Sequence, residues 1–148
     1  MHMRRISLFF STLFYVGNIR IAPGTFSSLL TVLFWTYLIP NDLFIRFLYF
    51  LIFFVLSIIV THYSLELFHD DDDPQNIVID EFIGMSIPLL YIADNILLIC
   101  ISFLVFRFLD IVKPSIVYYA QSYRGAVGVL MDDILSGIIT LLILMYYL

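Results

Sequence analysis

Leu43 to Tyr63 is an apolar stretch of bilayer-crossing length that carries one full charge, Arg46. A run of about 20 apolar residues at about 1.5 Å per residue covers the hydrocarbon core as a helix. Water is absent at that depth, so the backbone must satisfy its own hydrogen bonds, and this restricts the rest of the chain as well. The 148 residues are 62% hydrophobic with a mean hydropathy of +1.03, which predicts an integral membrane protein. Shorter apolar stretches surround the long one. Ile6 to Val16 fits a helix lying at the membrane interface. Thr25 to Ile39 is ended by Pro40, Asn76 to Ile92 and Asn95 to Ile111 are separated by Asp94-Asn95, and Gly125 to Leu148 closes the chain. The predicted fold is all-α, a compact helical bundle with several short membrane-embedded helices in a single domain, 1–148.

The net charge of −5 owes much to one run, Asp70 to Asp73, read as a solvated loop. It gives no basis for nucleic-acid binding. The lone Cys100 cannot form an intramolecular disulfide and reads as a packing residue. Arg4 and Arg5 precede an apolar stretch as in a signal peptide, but no small-residue cleavage pattern follows, so the segment is expected to be retained. Basic residues near span ends favour the cytoplasmic side. Arg4, Arg5 and Arg20 place the N-terminus there, and Arg107, Lys113 and Arg124 return to it if each stretch crosses once. Arg46 is the exception. This threading brings Pro23-Gly24-Thr25, Asp80-Glu81, Asp110 and Asp132-Asp133 to one level.

Carboxylates at membrane depth are costly, which makes these acids candidates for function. Arg107, Asp110 and Lys113 are successive i, i+3 neighbours before Pro114 ends the helix. Gly84 follows Asp80 by four residues, Gly128 precedes Asp132 by four and Gly137 follows Asp133 by four, so small residues mark the acidic faces where a helix or ligand can approach. Oxygen-only ligands suit magnesium or manganese. Ile21 to Thr25 would add N–H groups and a hydroxyl at a helix N-terminus, an anion site. Metals beside an anion site point to phosphate chemistry. Blander readings stand beside these: acids at helix starts favoured by the dipole, a structural Arg107–Asp110 pair, Arg124 as a membrane anchor, and Thr25 as an N-cap. His62 and His69 read as interfacial and loop residues, and Tyr118, Tyr119 and Tyr123 as an aromatic belt.

The same residues carry a family resemblance along nearly the whole chain. Ala22-Pro-Gly-Thr-Phe-Ser-Ser-Leu29, Ile79-Asp-Glu-Phe-Ile-Gly84, Phe106-Arg-Phe-Leu-Asp-Ile-Val-Lys-Pro114 and Gly125-Ala-Val-Gly-Val-Leu-Met-Asp-Asp-Ile-Leu-Ser-Gly137 resemble, in order and separation, the motifs of phosphatidylglycerophosphatase A. Ser27 stands for a usual Gly, Leu109 for Phe, Ala126 for Gly and Ser136 for Ala. The first could tighten the anion loop, and the others look like packing changes. The resemblance implies a magnesium-dependent phosphatase of the bacterial inner membrane, facing the cytoplasm, that converts phosphatidylglycerophosphate to phosphatidylglycerol and inorganic phosphate. Carried over, Asp80, Glu81, Asp132 and Asp133 look like the metal ligands, and Asp110 either a fifth ligand or the group that orients water. Arg107 and Lys113 would face the phosphate, with Pro23, Gly24, Thr25 and Arg124 as substrate contacts. Direct attack by a metal-activated water is expected, because none of the motifs holds a histidine and Cys100 lacks a phosphate-binding arginine loop. A small transporter or channel would also keep intramembrane carboxylates, but spread through the depth of the bilayer. A CDP-alcohol phosphotransferase would need four aspartates in one extended motif, which is lacking. A non-catalytic scaffold leaves the acids and bases unexplained.

Overall fold

The computed structural model describes residues 2–67, 74–92, 95–114, 117 and 125–147. Asp70 to Asp73, His69, Asp94, Tyr118, Tyr119, Tyr123 and Arg124 lie outside them, and with them the readings placed there. The described residues form six α-helices and no strand: α1 (His2–Ser11), α2 (Pro23–Tyr37), α3 (Leu43–Leu65), α4 (Ile79–Ile92), α5 (Ile96–Val112) and α6 (Ala126–Tyr147), with a 3-10 turn at Val16–Asn18. This is the all-helical class expected. Among the described residues, only α3 and the segment Ala126–Tyr146 of α6 are long and apolar enough to cross a membrane. By length, α2, α4 and α5 reach about 21–26 Å, short of a full hydrocarbon core.

In α2 and α3 burial runs opposite to that of a water-soluble protein. In α2 the buried face is Gly24, Ser27, Ser28, Thr31 and Trp35, and in α3 it is Arg46, Ser57, Thr61 and Ser64. Leu, Ile and Phe side chains of the same helices point outward, among them Leu33, Phe44, Phe47 and Ile52. Helices surrounded by lipid gain nothing from burying Leu against Leu, and they meet instead through small and hydroxylated residues. Two of those hydroxyls bond within α2, Ser28 Oγ donating to Gly24 O at 2.9 Å and Thr31 Oγ1 to Ser27 O at 2.9 Å.

The central element is α4, buried along almost its whole length. Its start packs with Leu13, Val129 and Leu130, and its end with Trp35, Ile99, Phe106 and Leu144. Ser27 Oγ donates to Val78 O at 2.6 Å and Trp35 Nε1 to Ser86 Oγ at 2.6 Å, which aligns α2 parallel to α4. The contacts with α6 are closer still. A Cβ on Gly84 would meet the Asp133 carbonyl, and a Cβ on Gly137 would meet Gly84 O. Pro88 lies within α4 and has no N–H to offer Gly84 O four residues back. That carbonyl is therefore exposed where Gly137 approaches. The glycine faces read in the sequence at Gly84 and Gly137 are the α4–α6 contact.

Arg46 did not fit the charge rule, and its surroundings supply the reason. It is 2% exposed, and it donates from Nε to Pro40 O at 3.0 Å and from Nη1 to Leu89 O at 3.1 Å. A cation at the C-terminal turn of α4 suits the helix dipole, so Arg46 is a structural residue and carries no topological information. Arg46→Met is expected to lower stability by about 1–3 kcal/mol by stripping those carbonyls of their donor. Thermal unfolding in detergent would register it, with turnover by the folded fraction unchanged. An unaltered unfolding midpoint would contradict the assignment.

After α1 the chain reverses through Leu13, Phe14 and Tyr15, all at positive φ. Phe14 N–H donates to Phe9 O at 2.8 Å and Gly17 N–H to Thr12 O at 2.9 Å. Ser11 O then accepts from Val78 N–H at 2.9 Å, and Ser11 Oγ pairs with Ser64 Oγ at 2.8 Å. These bonds hold α1 against the end of α3 and the start of α4. The N-termini of α2 and α4, the early turns of α6 and the C-terminus of α5 share one end of the bundle.

Candidate active site

That shared end contains a cavity of about 290 Å³ lined by Ala22, Pro23, Gly24, Gln75, Ile77, Asp80, Glu81, Arg107, Asp110, Lys113, Asp132 and Asp133. All the acids singled out in the sequence line this one cavity. Asp80 and Glu81 stand in the first turn of α4, and Asp132 and Asp133 follow two turns into α6. A spread through the membrane depth, which a transport pathway would require, is not the arrangement found.

Asp80, Glu81 and Asp133 each offer an oxygen within 4.8 Å of the others. Glu81 Oε2 and Asp133 Oδ1 are buried and accept no hydrogen bond. Buried carboxylate oxygens left without a donor are expensive, and among the described residues five acids line the cavity against two cations, short of positive charge. A divalent cation would correct both. The hard, oxygen-only donor set fits magnesium or manganese and does not favour zinc.

Asp132 is directed elsewhere than its neighbour. Lys113 Nζ donates to Asp132 Oδ2 at 2.7 Å, and Asp132 Oδ1 accepts the Asp133 N–H at 3.1 Å. The structure therefore brings together three of the four acids expected to bind metal and couples the fourth to a lysine. Lys113 is positioned by strain at the end of α5. Pro114 disfavours a right-handed conformation before it, and Lys113 caps the helix at φ 46, its N–H donating to Leu109 O at 2.8 Å. This turn swings the amine across to α6.

Arg107 Nη1 donates to Asp110 Oδ2 at 2.5 Å and lies 3.9 Å from Glu81 Oε1. The i, i+3 pairing was legible in the sequence, but the reach to Glu81 was not. Gly24 packs directly on this pair, since a Cβ there would meet Glu81 Oε1 and the Arg107 guanidinium. The anion loop is shorter than its sequence implies. Helix α2 begins at Pro23 with Ala22 as its left-handed N-cap, so Thr25 is not the cap. Thr25 N–H is already bonded to Ala22 O at 3.0 Å, which leaves the Gly24 N–H, at the second helical position, as the orphan donor of this helix start. Thr25 does not line the cavity, whereas Gln75 and Ile77 do. No residue pattern marked these two. Only their place just ahead of Asp80 could have pointed to them. Ser27, the departure expected to tighten the loop, ties α2 to the residue two before Asp80.

The sequence profile of phosphatidylglycerophosphatase A matches residues 9–148. The chain belongs to the phosphatidylglycerophosphatase A family. The Escherichia coli K12 phosphatidylglycerophosphatase A is 34% identical over 125 residues, covering 81% of this chain and 70% of that protein. The Haemophilus influenzae phosphatidylglycerophosphatase A is 32% identical over 132 residues, covering 86% and 79%. A Bacteroides thetaiotaomicron protein, provisionally named a phosphatidylinositol-3-phosphatase, is 40% identical over 76 residues. That match covers 49% of this chain and 48% of the relative, about half of each. No solved structure matches. Within the phosphatidylglycerophosphatase A motifs of this chain, every acid and base that is described faces the same cavity.

Proposed function

We propose that this chain is a magnesium-dependent lipid phosphatase that hydrolyses phosphatidylglycerophosphate to phosphatidylglycerol and inorganic phosphate, at the cytoplasmic face of a bacterial inner membrane. The observation that carries the reading is the buried Asp80, Glu81 and Asp133 cluster beside Arg107 and Lys113, in a chain of this family. Phosphate monoesters hydrolyse so slowly unaided that the site must supply most of the rate by charge neutralisation and positioning. Asp80, Glu81 and Asp133 would hold the cation. A bound magnesium ion supplies Lewis acidity toward the phosphate and makes a water more acidic.

The chain's own groups do the rest. Arg107, fixed between Glu81 and Asp110, donates to the phosphate oxygens. Lys113 contributes a second positive charge and steadies Asp132. Asp110, outside the three-acid cluster, orients the attacking water and takes its proton. The Gly24 N–H at the start of α2 completes the anion site. Arg107→Lys is expected to lower kcat about 10²-fold with the fold retained, because an ammonium cannot replace the planar fork between two carboxylates and an anion. Steady-state kinetics on the purified variant checks this, and a kcat within threefold of wild type would remove Arg107 from the role.

The name of the Bacteroides relative favours a second reading, in which the phosphate is carried on an inositol headgroup. Phosphate release from phosphatidylglycerophosphate, phosphatidylinositol 3-phosphate and phosphatidic acid, at equal surface concentration in mixed micelles with magnesium, separates the two. The glycerol headgroup is expected to lead by about tenfold in kcat/KM, the scale of one headgroup contact. Faster release from the inositol lipid would transfer the assignment to it. Release from none would overturn the phosphatase reading.

A further inference from the structure

A phosphate monoester has two halves, the phosphate and the alcohol that leaves it. The five acids and two cations of the acidic cavity suit the first half. Among the described residues, Gln75 is the one uncharged polar side chain in the same lining. It is exposed, whereas Ile77, Val78, Ile79 and Asp80 after it are buried, so it stands at the mouth of the cavity and the acids lie deeper. No hydrogen bond occupies its amide among the described residues. The turn that carries it is pinned. Ile77 N–H donates to Pro74 O at 2.9 Å, closing the turn around Gln75 and Asn76. Val78 N–H then donates to Ser11 O at 2.9 Å, and Val78 O accepts from Ser27 Oγ at 2.6 Å. Gly17 packs so closely on the Asn76 carbonyl that a Cβ there would overlap it. Contacts from α1, the 3-10 turn and α2 thus fix the backbone beside Gln75, and a side chain on a fixed backbone can select by hydrogen bonding.

We propose that Gln75 reads the free hydroxyl of the glycerol that carries the scissile phosphate. The inference rests on the lipid phosphatase reading above, in which the charged groups of the cavity are engaged with the cation, the phosphate and the attacking water. The leaving glycerol presents instead an uncharged group that both donates and accepts, and a carboxamide answers both. A neutral reader also adds no further negative charge to a site short of positive charge. The hydroxyl is on the carbon next to the one bearing the phosphate, so a side chain at the cavity mouth meets it while the phosphate sits deeper, beside Arg107. A phosphate ester without that hydroxyl leaves the amide unpaired when it binds, and this is the basis for rejecting it.

Phosphatidylglycerophosphate and its deoxy analogue, in which propanediol replaces the headgroup glycerol, isolate this contact. The readout is the ratio of their kcat/KM values, taken on one preparation in mixed micelles with magnesium. The ratio is expected to be about tenfold in favour of the natural lipid in the wild-type protein, the scale of one hydrogen bond left unpaired. In Gln75→Ala it should fall to within about twofold of unity, through slower turnover of the natural lipid. Gln75→Leu, similar in size and without polar atoms, should give the same loss. Partial misfolding lowers both rates alike and leaves the ratio intact, so a ratio still near tenfold in either variant would overturn the proposal. Equal wild-type rates on the two lipids would overturn it as well and leave the phosphatase reading in place. Release from neither lipid by the wild-type protein would sink the phosphatase reading, and the role of Gln75 with it.

Discussion

Asp133→Asn is expected to abolish phosphate release, by on the order of 10³-fold, the upper range for deleting one electrostatic partner of a reacting centre. The substitution is nearly isosteric, so packing of α6 on α4 is preserved. What changes is charge. Asp133 is 2% exposed, its Oδ1 accepts no hydrogen bond, and it shares a space of 4.8 Å with Asp80 and Glu81. An amide there removes one of three mutually repelling groups and offers a donor to the other two. The variant should therefore unfold at the same temperature as wild type or a higher one, while losing both magnesium binding and turnover. A site maintained against its own repulsion is the usual mark of function placed above stability. Retention of more than a tenth of the activity in a folded Asp133→Asn protein would remove Asp133 from the cluster.

Gly84→Val should be nearly as damaging by a different route. A side chain at 84 runs into the Asp133 carbonyl at 2.5 Å and the Phe106 ring at 2.8 Å. Neither the α6 backbone nor a fully buried ring can yield cheaply, so α6 must move away from α4. Overpacking of this kind costs about 1–3 kcal/mol. The larger effect is on chemistry, because Asp133 moves with its own carbonyl, and about 1 Å of displacement can cost about 10²-fold in rate. Gly84→Ala should act in the same direction and less strongly. Unfolding midpoints and phosphate release, measured on the same detergent preparations, check both effects. Wild-type kcat in Gly84→Val would show that the acids do not depend on this contact.

Much of this arrangement is legible in the sequence. Basic residues at span ends, alternation of the crossings and i, i+4 glycines beside the acids together brought Asp80, Glu81, Asp110, Asp132 and Asp133 to one end of the bundle, where all five line the same cavity. The limits were local. Adjacent residues project about 100° apart on a helix, so both members of Asp132-Asp133 were equivalent until the packing of α6 on α4 aimed one at Asp80 and Glu81. The left-handed turn at Lys113 then took the other. Hydropathy could not separate α4, enclosed by its neighbours, from α3, whose apolar residues face outward, because both are predominantly apolar in composition. The apolar stretch of α2 starts at Thr25 in the sequence, whereas a left-handed Ala22 with Pro23 at the first helical position begins the helix two residues earlier. Arg46 looked like a topology signal and is a carbonyl cap.

The most direct measurement is phosphate release from phosphatidylglycerophosphate by the purified wild-type protein in lipid nanodiscs, with magnesium present, withdrawn by chelator and then restored. Release that stops on chelation and returns with magnesium is the expected result. Release that continues at an undiminished rate in excess chelator would contradict a metal role for Asp80, Glu81 and Asp133, and release under no condition would contradict the phosphatase itself.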